Sequence, residues 1–385
     1  MSSKSDFYPS AALNCAITST AGSFDPQLPL GREAGTALHS TSEDLVPPGI
    51  MMLEGGKMRL NFMAAGAQSV AAEVHRQRYE LEKTQGGLWT TVVDGGEGGF
   101  CPVMFFVDGV EVLNPLAPVG FGASRPINYA DIPQEEDFFL CKDVPHGSVT
   151  QEFYNAKTTG TVKSCLVYTP AGYMKESSGQ YPVLYLQHGH GENEQCWVHQ
   201  GKANFILDNL IAQGKMTPCV VVMNNGMVQK EQDGLRVLDV ERIEQLLLAD
   251  CIPFIESRYR VKTGKWSRAM AGLSMGSMQT SAVTLSHPDM FGYAGVFSGF
   301  VPPRKGRFEG RDFLKALDDK ESFQREYKVF FRGCGREDLV AIESFQADSA
   351  MFAEKGLAPG ECPVHVEKLY HGEHEWNVWR KCLRD

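Results

Sequence analysis

A serine flanked by glycines is the first feature of this chain that could do chemistry. Residues 269–280 read "AMAGLSMGSMQT", which places Ser274 at the centre of a G-x-S-x-G pattern. A serine hydroxyl is a weak nucleophile, so it needs a base, a group that orients the base, and donors for the oxyanion. A strand-like segment precedes Ser274 and a helix-like segment follows it, which is the context that exposes such a serine. The pattern therefore predicts that Ser274 is a nucleophile.

Partners for this serine are expected downstream, in the order acid and then histidine. Asp338 follows a strand-like segment and is our choice for the acid, with the adjacent Glu337 as competitor. Asp338 would also suit the start of a helix, because a carboxylate there accepts backbone N–H groups. The base is predicted to be His374, with His371 as the fallback, because both lie in the loop after the last strand-like segment.

Backbone N–H groups for the oxyanion are predicted at two places. One is Met275, the residue after the nucleophile. The other is the loop "HGHG" at 188–191, where His190 is the first choice and Gly191 the second. His188 and His190 also raise the alternative of a metal site, but no third ligand follows at a recognisable spacing. We therefore predict no metal and no cofactor.

The elements that would position these residues begin at about residue 146. From there apolar strand-like segments alternate with amphipathic helical ones, which is typical of a doubly wound α/β domain over 146–385. The predicted strands are 163–170, 181–189, 217–226, 267–274, 293–299, 327–335 and 364–370. The predicted helices are 201–215, 238–259, 276–288 and 339–353.

The region before residue 146 has a different character. Residues 1–50 are rich in Ser, Pro and Gly and are interpreted as an irregular arm. Short apolar segments with Gly-rich breaks over 51–115 predict a small all-β sandwich, with Asp108-Gly109 as a hairpin turn. Residues 116–145 carry Pro, Gly, Asn and acidic residues and are interpreted as a connector.

Composition excludes some classes of partner. The 385-residue chain has a net charge of −10, which argues against a nucleic-acid surface. No apolar run is long enough to span a membrane, and the N-terminus makes a poor signal peptide. The ten cysteines form no C-x-x-C and suit a reducing compartment, so we predict a cytoplasmic location, or a secreted one if a leader was removed. A homodimer is the commonest assembly, and nothing in the chain argues for or against it.

Four blocks in this order resemble a known family. They are the stretch from "YLQHGHGENEQCW" to "VVVMNNG", and then "AGLSMGSMQT", "GCGREDLV" and "YHGEHEWNVWR". Together they resemble the esterase D-like group and, more closely, carbohydrate esterase family 1, the feruloyl and acetylxylan esterases. The resemblance implies an α/β-hydrolase fold with Ser274, Asp338 and His374 as the triad. Residues 51–115, through "LWTTVV" and "FFVDGVEVLNP", resemble the glycogen-binding-like, immunoglobulin-like sandwich that precedes the esterase in many of these enzymes. The loop "HGHGEN" departs from the run of glycines more common in relatives.

The resemblance implies a serine ester hydrolase acting on feruloyl or acetyl esters of sugars or xylo-oligosaccharides, or on a related small ester. Trp197 and Trp376, with Met275 and Met278, are candidates to line an apolar acyl pocket, although the same side chains would also suit a core. Three alternatives stay open. They are a cytoplasmic siderophore esterase, a non-catalytic carbohydrate-binding protein, and an acyltransferase with an alcohol acceptor.

Overall fold

The computed structural model describes residues 47–175, 178–303 and 307–385. The chain divides into two compact units, Met1–Asp137 and Phe138–Asp385. Most of the predicted N-terminal arm lies outside the described residues, and its last residue, Ile50, begins the first strand.

The first unit consists of short strands that form two antiparallel sheets. The strands are β1 (Ile50–Met52), β2 (Lys57–Met63), β3 (Val70–Val74), β4 (Gln77–Glu80), β5 (Glu82–Lys83), β6 (Leu88–Asp94), β7 (Gly99–Val107), β8 (Val110–Val112), β9 (Val119–Gly122) and β10 (Arg125–Ile132). One sheet has the order β1-β2-β6-β5, and the other has β4-β3-β7-β10-β9 with β8 beside β7. Apolar side chains from both sheets, such as Leu60 and Val103, share one core, so burying them holds the sheets together.

Two expectations for this unit can be compared with the structure. The hairpin turn at Asp108-Gly109 is confirmed, since both residues have the positive φ that such a turn needs, 49° and 83°. The connector at 116–145 is wrong in its first half, because 119–132 forms β9 and β10. The polar Asn128 is of a residue type that favours a loop. That side chain is buried and accepts a hydrogen bond from the N–H of Asn114 at 2.8 Å. Because the hydrogen bond is made, burying this polar group costs the sheet little stability.

The second unit is built on one large sheet. Its strands, together with those of a separate hairpin, are β11 (Ser148–Ala156), β12 (Thr161–Thr169), β13 (Val183–Gln187), β14 (Val220–Asn224), β15 (Gln229–Gln232), β16 (Leu235–Leu238), β17 (Arg268–Leu273), β18 (Tyr293–Phe297), β19 (Val329–Gly335) and β20 (His365–Tyr370). The large sheet has the order β11-β12-β14-β13-β17-β18-β19-β20. β11 and β12 run antiparallel and the remaining strands are parallel, so the predicted α/β-hydrolase type of fold is confirmed.

Helices connect these strands. They are α1 (Cys196–His199), α2 (Ala203–Ala212), α3 (Ile243–Gln245), α4 (Ile252–Arg258), α5 (Met275–Ser286), α6 (Lys320–Glu326), α7 (Ile342–Glu354) and α8 (Trp376–Arg384). A π-helical turn, Leu246–Cys251, joins α3 to α4. The predicted helix at 238–259 is therefore present, but it is irregular in its middle.

The β15–β16 hairpin was not predicted. Its turn residues, Asp233 and Gly234, have positive φ values of 53° and 75°. An Asp-Gly pair between alternating segments is a strong hairpin signal, so the sequence carried the information that would have revealed it.

The order of the parallel strands decides where the reactive residues lie. β13, β17 and β19 end just before His188, Ser274 and the Asp338 loop, and β20 ends before the loop that carries His374. Because parallel strands end at the same edge of a sheet, the four loops lie along one edge, which is where open α/β sheets bind their ligands.

Candidate active site

Ser274 lies in a strained turn between β17 and α5. Its φ of 51° and ψ of −114° are unusual for a residue with a side chain. Its N–H donates to the carbonyl oxygen of Phe297 at 2.9 Å, which holds the turn against the neighbouring strand. The strand–turn–helix geometry anticipated for the nucleophile is therefore present.

The two glycines of the motif allow this turn to form. A Cβ on Gly272 would come within 2.5 Å of the carbonyl oxygen of Gly276. A Cβ on Gly276 would come within 2.6 Å of the carbonyl oxygen of His188. Real Cβ atoms do not make such contacts, so any larger residue at Gly276 would push the turn away from the loop that follows β13.

We expect Gly276→Ala to lower kcat for ester hydrolysis by roughly 100-fold, since a displacement of about 1 Å in a reacting group costs that much. Gly264→Ala is the matched control, because a Cβ there meets nothing within 4 Å. Steady-state kinetics and circular dichroism on both variants would check this. Equal kcat values for the two variants would contradict the steric argument.

A line of hydrogen bonds joins three of the predicted residues. The Nε2 atom of His374 lies 2.9 Å from Oγ of Ser274. Its Nδ1 atom lies 2.9 Å from Oδ2 and 3.0 Å from Oδ1 of Asp338. The structure therefore brings together Ser274, His374 and Asp338, which are far apart in the sequence.

Asp338 differs sharply from its neighbour Glu337. Asp338 is fully buried, and its Oδ1 also accepts the N–H groups of Val340 and Ala341 at 3.0 and 2.9 Å. Burial opposes ionisation of this carboxyl, but its hydrogen bonds and the charge of His374 prevail, and the pKa of Asp338 is lowered. Asp338 is thus held as a carboxylate that faces the imidazole.

Glu337 instead belongs to the surface. Its Oε2 accepts the N–H of Gly372 at 2.7 Å, and its Oε1 lies 3.4 Å from Nδ1 of His371. The His371 side chain is 63% exposed. The alternatives Glu337 and His371 therefore pair with each other, away from Ser274.

Three tryptophans pack behind His374. The ring of Trp379 meets the imidazole edge-on at 5.2 Å, and Trp376 contacts Trp379 at the same distance. Trp197 packs on Trp376 at 5.1 Å and donates from Nε1 to the carbonyl oxygen of Gln187 at 2.9 Å. This stack fixes the loop that carries the histidine.

Burial corrects the expectation that Trp197 and Trp376 bind substrate. Their exposed fractions are 0% and 3%, so neither ring offers a surface to a ligand. Met275 is also buried, while Met278 is partly buried and packs on the apolar clusters under the sheet. The core role that the sequence left open is the one these side chains have.

The predicted oxyanion donors lie around Ser274. Met275 is the first residue of α5, and the N–H groups of a first helical turn have no acceptor within the helix. A Cβ on Gly189 would lie 3.5 Å from Cβ of Ser274, so the 188–191 loop lies against Ser274. His190 is exposed in that loop, and the N–H of Gly191 donates to Sδ of Met227 at 3.4 Å.

His188 has a structural environment rather than one suited to a metal. It is fully buried, and its Nε2 accepts the N–H of Gly226 at 3.0 Å. Nδ1 then carries the proton and donates to the carbonyl oxygen of Gly189 at 2.8 Å. Burial lowers the pKa of His188 to about 4, so the ring is neutral and both nitrogens are engaged. Within the described residues, no group of three or more potential ligands could hold a metal ion.

Comparison with known proteins agrees with this geometry. A family model described as a putative esterase matches residues 156–385. The chain belongs to this esterase family. The match spans the unit that carries Ser274, His374 and Asp338, and it makes ester hydrolysis the activity expected of that unit.

Two curated relatives of this chain are named as xylanases. The chain is 35% identical over 364 residues to an endo-1,4-beta-xylanase/feruloyl esterase of Xylanibacter ruminicola. The match covers 89% of this chain and 47% of the relative. The chain is 28% identical over 231 residues to endo-1,4-beta-xylanase Y of Acetivibrio thermocellus, which covers 55% of this chain and 20% of the relative. The chain thus spans half or less of the length of these two relatives.

Solved structures with the same fold include two kinds of esterase. A family 1 ferulic acid esterase from Anaeromyces mucronatus has a TM-score of 0.55 and 22% identity, covering 65% of this chain and 93% of that one. An enterobactin esterase from Shigella flexneri has a TM-score of 0.60 and 14% identity, covering 88% of this chain and 94% of that one. At these identities the likeness is one of fold.

In the described part of the chain, no helix combines the length and the apolar character that crossing a membrane requires.

Glu192 is a residue of the site that sequence reasoning missed. Its Oε2 accepts the N–H of Gly189 at 2.8 Å, and its carboxyl is also hydrogen-bonded by the Trp376 side chain. Burial raises the pKa of Glu192 to about 8, against the opposing effect of these two hydrogen bonds. An acidic residue just after a Gly-rich loop is the only hint in the sequence, and it does not reveal the burial.

We expect Glu192 to make folding stability depend on pH. The native state keeps a proton on this carboxyl that the unfolded chain releases above its ordinary pKa of 4.5, so the contribution to stability is present at low pH and is lost as pH rises to about 8. Between about pH 6 and 9 the wild type should lose about 3 kcal/mol more than Glu192→Gln, since the stability falls over about two pH units below the native pKa and each unit is worth about 1.4 kcal/mol. Urea unfolding of both proteins at the two pH values measures this. Parallel losses in both proteins would contradict it.

Proposed function

We propose that this chain is a serine-dependent carboxylic ester hydrolase that works through an acyl-enzyme on Ser274. One observation carries the proposal, which is the unbroken hydrogen-bond line from Oγ of Ser274 through His374 to the buried carboxylate of Asp338. Such a line orients the imidazole and activates a serine hydroxyl as a nucleophile.

The mechanism follows from the tautomer. Asp338 accepts from Nδ1–H, so the lone pair of Nε2 faces the serine hydroxyl and takes its proton as Oγ attacks the ester carbonyl. The imidazolium is stabilised by Asp338 and then gives its proton to the leaving alkoxide. Water repeats the sequence on the acyl-enzyme. N–H groups at Met275 and in the 188–191 loop are proposed to stabilise the oxyanion, from His190 first and from Gly191 second, because the Gly191 N–H already donates to Sδ of Met227.

For the substrate we propose feruloyl or acetyl esters of sugars or of xylo-oligosaccharides. Support comes from the relative named as a xylanase/feruloyl esterase, which is similar over 89% of this chain. The second candidate is a siderophore ester of the enterobactin type. The coverage of 88% by the enterobactin esterase favours it, because that likeness includes the β-rich unit as well.

The β-rich unit is proposed to have a structural role rather than a sugar-binding one. Trp89, on β6, is an aromatic residue of the kind that can stack on sugars, but it is buried and donates from Nε1 to the carbonyl oxygen of Ala64 at 2.9 Å. A buried indole cannot stack on a sugar ring.

The test is a comparison of kcat/KM for methyl ferulate, an acetylated xylo-oligosaccharide and a catecholate trilactone. Preference for either of the first two supports the proposed substrate class, and preference for the trilactone would transfer the chain to the siderophore esterases. Absence of turnover on all three, together with no covalent labelling by a fluorophosphonate, would overturn the catalytic proposal. The non-catalytic carbohydrate-binding interpretation would then be preferred.

A further inference from the structure

A second set of reactive side chains lies at the start of the second unit, remote in sequence from Ser274. Sγ of Cys141 is 3.7 Å from Nε2 of His146. Nδ1 of the same imidazole is 2.8 Å from Oδ2 of Asp208, which lies on α2. A nucleophile, a base and a carboxylate thus follow one another, in the same chemical order as at the serine site.

The surroundings of Asp208 determine the tautomer of His146. This carboxylate is buried, and its Oδ1 accepts the N–H of Gly147 at 2.8 Å and the hydroxyl of Tyr168 at 2.7 Å. Its Oδ2 then accepts from Nδ1–H of His146, which leaves the lone pair of Nε2 directed at the Cys141 thiol. His146 is therefore oriented to take a proton from sulfur.

Access distinguishes Cys141 from the other cysteines. Of the nine cysteines in the described part of the chain, eight are buried and Cys141 is half-buried. The His146 side chain is 29% exposed, so solvent reaches the base as well. Among the described cysteines, Cys141 is therefore the one that we expect a small reagent to reach most readily.

At rest the sulfur is a thiol rather than a thiolate. Burial, and secondly the negative charge of Asp208, raise the pKa of Cys141. A raised pKa makes the thiol unreactive by itself, because the thiolate is the nucleophile. Reactivity near neutral pH therefore depends on the neighbouring base.

We propose that Cys141 is a second nucleophile of this chain, a thiol deprotonated by His146 and modified by small disulfides and other soft electrophiles. In the reaction with a disulfide, Nε2 of His146 takes the thiol proton and sulfur attacks one sulfur of the reagent. A mixed disulfide forms, the reagent's S–S bond breaks, and the departing thiolate takes the proton from His146. One thiol and one disulfide are consumed and one of each is produced.

We expect Cys141 to be modified without going on to catalyse ester hydrolysis. The N–H of Gly147, the backbone donor beside His146, already binds Asp208, so it is not available to stabilise an oxyanion. This inference does not depend on the ester-hydrolase proposal, because none of its residues belongs to the serine site.

The experiment uses the full chain with Cys15→Ser, since Cys15 lies outside the described residues. Dithiodipyridine is added, the released thiol is followed by absorbance from about pH 6 to 10, and the adduct is located by peptide mass. We expect one rapid adduct, on Cys141, with reactivity that begins near neutral pH. In this protein, an adduct on another cysteine would overturn the proposal. A rate that rises only at strongly alkaline pH would overturn it as well.

Variants then separate chemistry from structure. His146→Gln should slow the reaction roughly 100-fold near neutral pH, the usual worth of a general base, and move its onset to higher pH. His287→Gln is the matched control, because it removes an imidazole of similar exposure that is paired with another carboxylate, Glu244 at 2.8 Å, and leaves Cys141, His146 and Asp208 unchanged. Equal rates for wild type and His146→Gln would refute the role of the base. If both variants slowed the reaction equally, the effect of His146→Gln would come from a general loss of packing and not from the lost base.

Discussion

Ser274→Ala is expected to lower kcat for ester hydrolysis by about four to six orders of magnitude. The Ser274 hydroxyl lies 2.9 Å from Nε2 of His374. Its removal leaves the base with nothing to activate but water. Steady-state kinetics on an aryl ester, with intact-mass detection of a fluorophosphonate adduct, measure both the rate and the nucleophile. A single adduct on wild type and none on the variant is the predicted result.

Ser281→Ala is the control for this experiment. Ser281 lies on the same helix, α5, and its hydroxyl donates to the carbonyl oxygen of Phe300 at 3.3 Å rather than facing the histidine. It should keep full labelling and activity within a few-fold of wild type. If Ser274→Ala retained most of the activity, another nucleophile would have to be sought.

Asp338→Asn is expected to lower kcat by roughly 1,000- to 10,000-fold, through the tautomer of the histidine. The N–H groups of Val340 and Ala341 hold Oδ1, so an amide at this position would keep its oxygen on them and turn its NH₂ toward His374. Nδ1 would then have to accept, and the proton would move to Nε2, where it blocks the transfer from serine. The pH–rate profile and NMR of the imidazole protons would report this change.

Glu337→Gln is the matched control, one residue away. Its carboxylate contacts the N–H of Gly372 and the exposed His371 rather than the catalytic line, so kcat should change by no more than a few-fold. The pair of variants tests the choice between the two acids. Loss of activity in Glu337→Gln with retention in Asp338→Asn would reverse the assignment.

Much of the fold could be predicted because local patterns agreed with it. The buried strand Val220–Asn224 is a continuous apolar run, as parallel strands covered on both faces must be. The strand–turn–helix around Ser274 could also be predicted, because close backbone contacts leave room only for glycine at positions 272 and 276. The connector at 116–145 failed because the burial of Asn128 depends on partners elsewhere in the chain.

The sequence by itself predicted Ser274 as the nucleophile and the order in which its partners follow. It did so because a G-x-S-x-G between a strand and a helix constrains the backbone locally. Only the tertiary structure decided between Asp338 and Glu337, and between His374 and His371, since adjacent residues of the same charge differ only in what surrounds them. It also moved Trp197 and Trp376 into the core, and it placed Cys141 beside His146 and Asp208. Burial and the meeting of distant segments are properties of packing, and no local pattern of residues encodes them.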